Sequence, residues 1–150
     1  MSVNIRKMIL DDLEQVIAID QISFSLPWPV RSFYSELTDN PASRCWVVEL
    51  DGRIAAMVVA WLIVDEIHIA TIATHPDFRK QGFGEKLLSF TLQSAQAEGA
   101  VTSFLEVREN NAAAIMMYHK FGYVESGRRK GYYKDNNEDA ILMTLRMVTG

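Results

Sequence analysis

Between residues 67 and 107 the chain runs strand, helix, strand in a way that leaves few sheet topologies open. Residues 67–74 carry no Asp, Glu, Lys or Arg and are halted by Pro76, as befits a strand with neighbours on both sides. Residues 84–98 then place Leu87, Leu88, Thr91 and Ala95 on one helical face, with Gly99 where a left-handed cap belongs. Residues 101–107 form the next strand. Two strands joined through a helix in one sheet lie parallel, and the crossover is right-handed.

The flanking segments supply antiparallel partners. Residues 3–9 read as a first strand; Asp11 with Glu14 three residues on reads as a capping box, and Leu13, Val16, Ile17 and Phe24 continue at helical spacing. Ser25-Leu26-Pro27-Trp28-Pro29 breaks that helix, and Pro29 suits the first turn of a second one over 30–37. Residues 45–50 and 53–64 flank Asp51-Gly52, the strongest short signal for a tight hairpin, and Asp65-Glu66 offers another turn. A helix over 111–121 ends at Gly122, and strands over 123–133 and 140–147 are joined by the loop 134–138. The predicted order is β-α-α-β-β-β-α-β-α-β-β, with no repeat and no linker. Residues 1–150 are thus expected to form a single α/β domain, a mixed, mostly antiparallel sheet of about seven strands flanked by about four helices.

Composition removes several function classes. A 150-residue chain can bury about 70% of its unfolded surface, so it needs neither metal nor disulfide to hold a core. Cys45 is the single cysteine and has no partner for a bridge, which favours a reducing compartment. Fifteen Lys and Arg against nineteen Asp and Glu give a net charge of −4, the wrong sign for general nucleic-acid binding. The longest apolar run, 54–64, is too short for a bilayer core of about 30 Å, and the first residues lack the apolar stretch of a secretory signal. A cytoplasmic protein without membrane association is expected, as a monomer or weak dimer. His68, His75 and His119 show no metal-ligand spacing, and nothing points to Cys45 as a nucleophile. Arg128-Arg129-Lys130 with Lys134 is a basic cluster, either solvated or a guide for an acidic ligand.

The chemistry concentrates in Thr74-His75-Pro76-Asp77-Phe78-Arg79-Lys80-Gln81-Gly82-Phe83-Gly84-Glu85, between strand and principal helix. Gly82 and Gly84 permit close approach of backbone N–H groups, a helix N-terminus adds partial positive charge, and Arg79 and Lys80 add full ones. A phosphate or pyrophosphate fits such a loop, although glycines that merely shape a turn would look the same. A Walker loop is excluded by glycine spacing, and a dinucleotide fingerprint by Leu87 where a third glycine belongs.

Arg79-Lys80-Gln81-Gly82-Phe83-Gly84 resembles the (Arg/Gln)-x-x-Gly-x-(Gly/Ala) signature of the Gcn5-related N-acetyltransferases. Leu105-Glu106-Val107-Arg108-Glu109-Asn110-Asn111-Ala112-Ala113-Ala114-Ile115, leading to Tyr118 and Phe121-Gly122-Tyr123, resembles the same family's second acetyl-CoA segment. More narrowly, it resembles that of the bacterial ribosomal-protein-alanine N-acetyltransferases of the RimI type. Leu26-Pro27-Trp28, Tyr132-Tyr133 and Glu138-Asp139-Ala140-Ile141 are similar to that subfamily too, so the resemblance spans nearly the whole chain.

The resemblance implies acetyl-CoA as co-substrate, no metal, and a protein N-terminus as acceptor, that of a ribosomal protein beginning with alanine. It implies that Ile72, Ala73 and Thr74 serve the pantetheine arm, that Arg79, Lys80, Gln81, Gly82, Phe83 and Gly84 wrap the pyrophosphate through backbone N–H groups, and that Asn111 and Tyr118 also meet the cofactor. Glu106 matches the general base and Tyr118 the general acid. The physics agrees: an α-amine with a pKa of about 7.7 to 8.0 must lose a proton before it attacks, and a tyrosine with a reference pKa of about 10 keeps its own. A backbone N–H near Ile72 or Ala73 suits an oxyanion. Trp28, Tyr132 and Tyr133 either line a peptide groove or simply pack. A strand-end Glu is ordinarily solvated, and a helical Tyr ordinarily packs in a core, so the residues alone leave both roles open. Two rivals stand beside this reading: transfer to a lysine side chain or small amine, and a non-catalytic acyl-CoA-binding module.

Overall fold

The computed structural model describes residues 2–147. Its elements follow the expected order: β1 (Val3–Lys7), α1 (Leu13–Ser23), α2 (Val30–Thr38), β2 (Ser43–Leu50), β3 (Arg53–Ile63), β4 (Glu66–Thr74), α3 (Phe83–Ala97), β5 (Thr102–Arg108), α4 (Ala112–Phe121), β6 (Val124–Tyr133) and β7 (Glu138–Arg146). Short 3-10 turns at Leu10–Asp12 and Pro76–Phe78 precede α1 and α3. The strands form one sheet in the order β1-β2-β3-β4-β5-β7-β6, in which β4 and β5 are parallel and every other pair is antiparallel. Asp51 and Gly52 both take positive φ, 49° and 83°, the backbone that a two-residue hairpin between twisted strands demands.

Helices cover both faces. Leu13, Val16 and Ile19 of α1 and Phe33 of α2 pack with Val47, Met57 and Val59 of the sheet. On the other face Phe83, Leu87, Leu88 and Leu92 of α3 and Tyr118 of α4 pack with Val48, Val58, Ile67, Leu105, Val107 and Met143. Strand alternation assigns Met57, Val58, Val59 and Ala60 of β3 to the two layers in turn, and an extra residue at Ala55 interrupts it near the hairpin.

The start of α1 departs from expectation. Asp11 and Glu14 are exposed and make no cap; the carboxylate that anchors the helix is Asp12, whose Oδ2 accepts the Ile9 N–H at 2.8 Å. Arg6 on β1 fixes it with two bonds of 2.8 Å, and the intervening 3-10 turn moves the capping position by one residue. Strands β2 and β7 also begin two residues earlier than the side-chain pattern suggested, at Ser43 and Glu138.

A register shift in β4 shapes the middle of the sheet. Val59 pairs with Thr71 and Ala60 with Ile69, so Ala70 is an extra residue in β4. Such a bulge bends the strand and shifts its alternation. Ile67 and Ile69 face the α3 layer before it; beyond it Ile72 meets that layer, while Ala70 and Ala73 meet the α1 layer. The parallel ladder between β4 and β5 runs from Glu66–Thr102 to Ile69–Leu105 and stops there. Meanwhile β4 stays paired with β3 to Thr74, and β5 stays paired with β7 to Arg108. The sheet therefore opens between residues 70–74 and 106–108.

Candidate active site

The opening continues into a cleft of about 690 Å³, walled by both splayed strands, the C-terminal part of α1, the loop before α3 and the inner side of α4. Its β4 wall contains Ile72, Ala73 and Thr74. Because β3 occupies only one side of this segment, the main-chain groups directed toward β5 have no strand partner, a row of donors and acceptors suited to an amide-bearing ligand.

Arg79, Lys80, Gly82 and Gly84 form the wall at the N-terminus of α3. Lys80 and Gly82 have positive φ, 63° and 81°, which turns the chain sharply into the helix. No side chain caps α3, and its first internal bond is Lys86 N–H to Gly82 O at 3.0 Å, so the N–H groups of its first turn remain for an anion. A Cβ on Gly84 would stand 3.3 Å from Thr74 Oγ1, so the helix approaches β4 closely there and any side chain would need Thr74 to give by a few tenths of an ångström. Arg79 is pinned by bonds from Nε to Thr74 O (3.1 Å) and from Nη2 to Ser23 Oγ (3.3 Å), whereas Lys80 makes no ion pair among the described residues.

Two residues of that motif stand apart from the wall. Phe83 is 5% exposed and belongs to the core, edge-on to Phe78, and the Gln81 side chain reaches back toward Asp77 O. Helical geometry turns Phe83 inward, leaving only its main chain at the loop. Asn111 caps α4 by accepting the Ala114 N–H with Oδ1 at 3.2 Å and also lines the cleft.

Glu106 and Tyr118 approach from different layers. On β5 the neighbours Leu105 and Val107 are buried on the α3 side, so alternation puts Glu106 on the opposite side of the sheet, where it lines the cleft. Arg129 of β6 lies against it, Nε to Oε1 at 3.3 Å. Tyr118 projects from α4, 6% exposed and edge-on to Tyr123, and also lines the cleft. Burial, with a smaller contribution from Tyr133, pushes its phenol up to about 12. The open seam between β4 and β5 is what lets residues from both layers border one space.

Trp28 and Tyr133 line the cleft as well. Trp28 packs against Phe33 and Trp61 at centroid distances of 5.2 and 6.3 Å. Tyr133 lies 3.9 Å below the Arg108 guanidinium, and burial first, then the Glu106 charge, raises its phenol above the ordinary range. Tyr132 does not join them; it is 47% exposed and stacks edge-on outside Tyr133, because consecutive strand residues face opposite ways.

The structure adds two charged residues that the motif reading did not single out. Arg108 bonds Asp135, Asn136, Glu138 and Ser25, tying the loop after α1 to the loop between β6 and β7 across the mouth of the cleft. Asp20 lines the cleft from α1, and its Oδ2 accepts the Trp28 N–H at 2.8 Å. A signal for Asp20 existed: it lies seven residues after Leu13 and four after Val16, on the apolar stripe of α1, where a carboxylate is out of place. Among the described residues no three His, Cys, Asp or Glu side chains gather as a metal site, and no helix is long and apolar enough to cross a membrane.

Comparison with known proteins bears on this geometry. The description "Acetyltransferase (GNAT) family" matches residues 13–123. A Bacillus subtilis (strain 168) protein, provisionally named [ribosomal protein bS18]-alanine N-acetyltransferase, is 40% identical over 139 residues, 93% of this chain and 92% of that one. The [ribosomal protein bS18]-alanine N-acetyltransferase of Salmonella typhimurium is 36% identical over 138 residues, covering 89% and 90%. The crystal structure of the ribosomal-protein-S18-alanine N-acetyltransferase from Escherichia coli superposes with a TM-score of 0.91 at 32% identity, over 99% of this chain and 97% of that one.

Proposed function

This chain belongs to the acetyltransferase (GNAT) family, and from that premise we propose that it transfers an acetyl group from acetyl-CoA to the α-amine of a protein beginning with alanine, that of ribosomal protein bS18. The observation that carries the reading is the opening of the sheet after Ile69 and Leu105, which brings a carboxylate, a neutral phenol and an uncapped helix N-terminus to one cleft. Bacterial ribosomal proteins are substrates of the cytoplasm, and we place this enzyme there as a single domain over residues 1–150.

The chain's groups fit acetyl-CoA. The first turn of α3, with Arg79 and Lys80, suits the pyrophosphate, and the main-chain groups of residues 72–74 free on the β5 side suit the amides of the pantetheine arm. Asn111 keeps its side-chain amide N–H donors for the same ligand, since its Oδ1 is spent on the cap. Acetyl-CoA supplies the acetyl group as a thioester, activated toward an amine.

Glu106 receives the proton that the α-ammonium must lose, directly or across a water, and so delivers the neutral nucleophile. Free N–H groups on β4 hydrogen-bond the thioester carbonyl as negative charge grows on its oxygen. Tyr118, held neutral by burial, donates a hydrogen bond to the departing sulfur. Burial keeps the Tyr118 proton on the phenol, so Tyr118 serves as a donor that steadies the thiolate. Trp28 and Tyr133 flank the acceptor's entry. Transfer is direct, through a ternary complex, because Cys45, the single thiol, is buried and its pKa is pushed up to about 12 by burial.

The test is acetyl-CoA-dependent thiol release with an alanine-initial peptide, set against the same peptide blocked at its N-terminus but carrying an internal lysine. Release only with the free terminus supports the reading; release from the blocked peptide moves the acceptor to lysine, and silence with both returns the choice to a small amine or to a binding module.

A further inference from the structure

Asp20 is 0% exposed, yet it forms part of the cleft wall. One carboxylate oxygen, Oδ2, accepts the Trp28 N–H; the other, Oδ1, is buried and has no hydrogen-bond partner among the described residues. No cation is paired with it among the described residues. The cations that share the cleft are engaged elsewhere or lie at the other ligand's end: Arg108 with Asp135 and Glu138, Arg79 with Thr74 and Ser23, and Lys80 in the loop before α3. A buried carboxyl with one lone oxygen is costly to ionise, and burial accordingly raises the Asp20 pKa above the ordinary carboxylate range. A loop anchor for Trp28 needs only an acceptor atom, which an amide or hydroxyl provides without that cost. The unpartnered oxygen therefore calls for a donor, and a positively charged one would offset the cost of ionising it.

The ligand chemistry follows from where the charge sits. Arg79 and Lys80 make the α3 end of the cleft cationic, while Asp20 on α1 and Glu106 on β5 are the carboxylates of its wall besides Glu85 in the first turn of α3. A group arriving beside Asp20 that both donates hydrogen bonds and carries positive charge is a protonated amine. We propose that Asp20 binds the acceptor's ammonium group, its Oδ1 accepting an N–H, and so selects a free amine and holds it in the cleft before Glu106 removes the proton. This rests on the reading of the cleft as an acetyl-transfer site and assigns to Asp20 the recognition of the acceptor, not the chemistry.

Asp20→Asn keeps an oxygen for the Trp28 N–H and nearly the same shape while removing the charge. Two inhibitors of the alanine-initial peptide reaction make the readout: a peptide with a free terminal amine on an acetylation-resistant secondary nitrogen, and the same peptide with that amine replaced by hydrogen. For the wild type the amine-bearing peptide should bind at least tenfold more tightly than its des-amino partner, and in Asp20→Asn the ratio should fall to within about twofold of unity. The KM for acetyl-CoA should stay within twofold. Asp20→Ser, which also retains an acceptor oxygen, serves as the second variant and should lose the ratio in the same way. An unchanged ratio in either folded variant overturns the proposal, as does a wild type that binds the two peptides equally. If the wild type instead acetylates the lysine-bearing blocked peptide, the α-amine reading falls, and the same ratio measured with amine and des-amino forms of that side chain decides the role of Asp20 separately.

Discussion

Arg129 Nε stands 3.3 Å from Glu106 Oε1, so the carboxylate assigned as base is already paired with a cation from β6 before an amine arrives. Both side chains are well exposed, at 55% and 34%, and an ion pair of that kind contributes about 0 to 1 kcal/mol. The two partners therefore separate by mutation. Glu106→Gln should lower kcat at least tenfold with acetyl-CoA affinity unchanged, while Arg129→Gln should change kcat less than threefold. Equal losses in steady-state assays would mean that Glu106 matters only as a partner of Arg129.

Tyr118→Phe should also lower kcat at least tenfold without loosening acetyl-CoA. The pH dependence has a definite sign. A phenol whose folded pKa is raised contributes stability that is complete below its unfolded value of about 10 and is lost as pH rises through about 12. Wild-type protein should thus lose stability on that alkaline interval faster than Tyr118→Phe, as followed by urea melts at stepped pH; parallel curves would contradict the buried, neutral phenol.

Gly82 holds φ at 81° with open space around its missing Cβ, so an alanine there meets backbone strain and no steric clash. Forcing an L residue into the left-handed region costs about 1 kcal/mol, which corresponds to about fivefold in an equilibrium. Gly82→Ala should raise the KM for acetyl-CoA about fivefold or more while leaving the KM for peptide in place. A change confined to the peptide KM would move the loop away from the pyrophosphate.

Val64, at the turn between β3 and β4, has φ of 57° and is 91% exposed, an unfavourable backbone for a β-branched residue with no packing to offset it. Val64→Asn should stabilise the protein by about 1 kcal/mol, a rise in Tm of about 2 to 4 °C, with turnover unchanged. Differential scanning calorimetry reads this directly, and a lower Tm would show that Val64 is not strained.

What could be read from the chain divides by the range of the forces involved. The Asp51-Gly52 hairpin, the Gly99 and Gly122 helix ends and the parallel crossover rest on local backbone preferences, and the structure has each of them. The bulge at Ala70 does not: no Gly or Pro marks it, and it lies where β4 leaves β5 while staying paired with β3, a matter of tertiary pairing. The insertion of β7 between β5 and β6 is likewise a tertiary choice. In the site, the motif singles out Arg79 to Gly84, yet only the fold separates the wall residues from Phe83, which the core takes, and Tyr132, which the strand turns outward. Asp20 was visible as a misplaced polar residue on an apolar stripe, but its unpaired oxygen and its place beside Trp28 depend on a loop whose path two prolines alone do not determine.

The most direct test of the central claim is to give the enzyme acetyl-CoA and one peptide that carries both a free N-terminal alanine and an internal lysine, and to locate the acetyl group by fragment mass spectrometry. Acetyl on the alanine α-nitrogen, reduced at least tenfold with Glu106→Gln at matched times, is the predicted result. Acetyl on the lysine with a free terminus left unmodified would contradict the account.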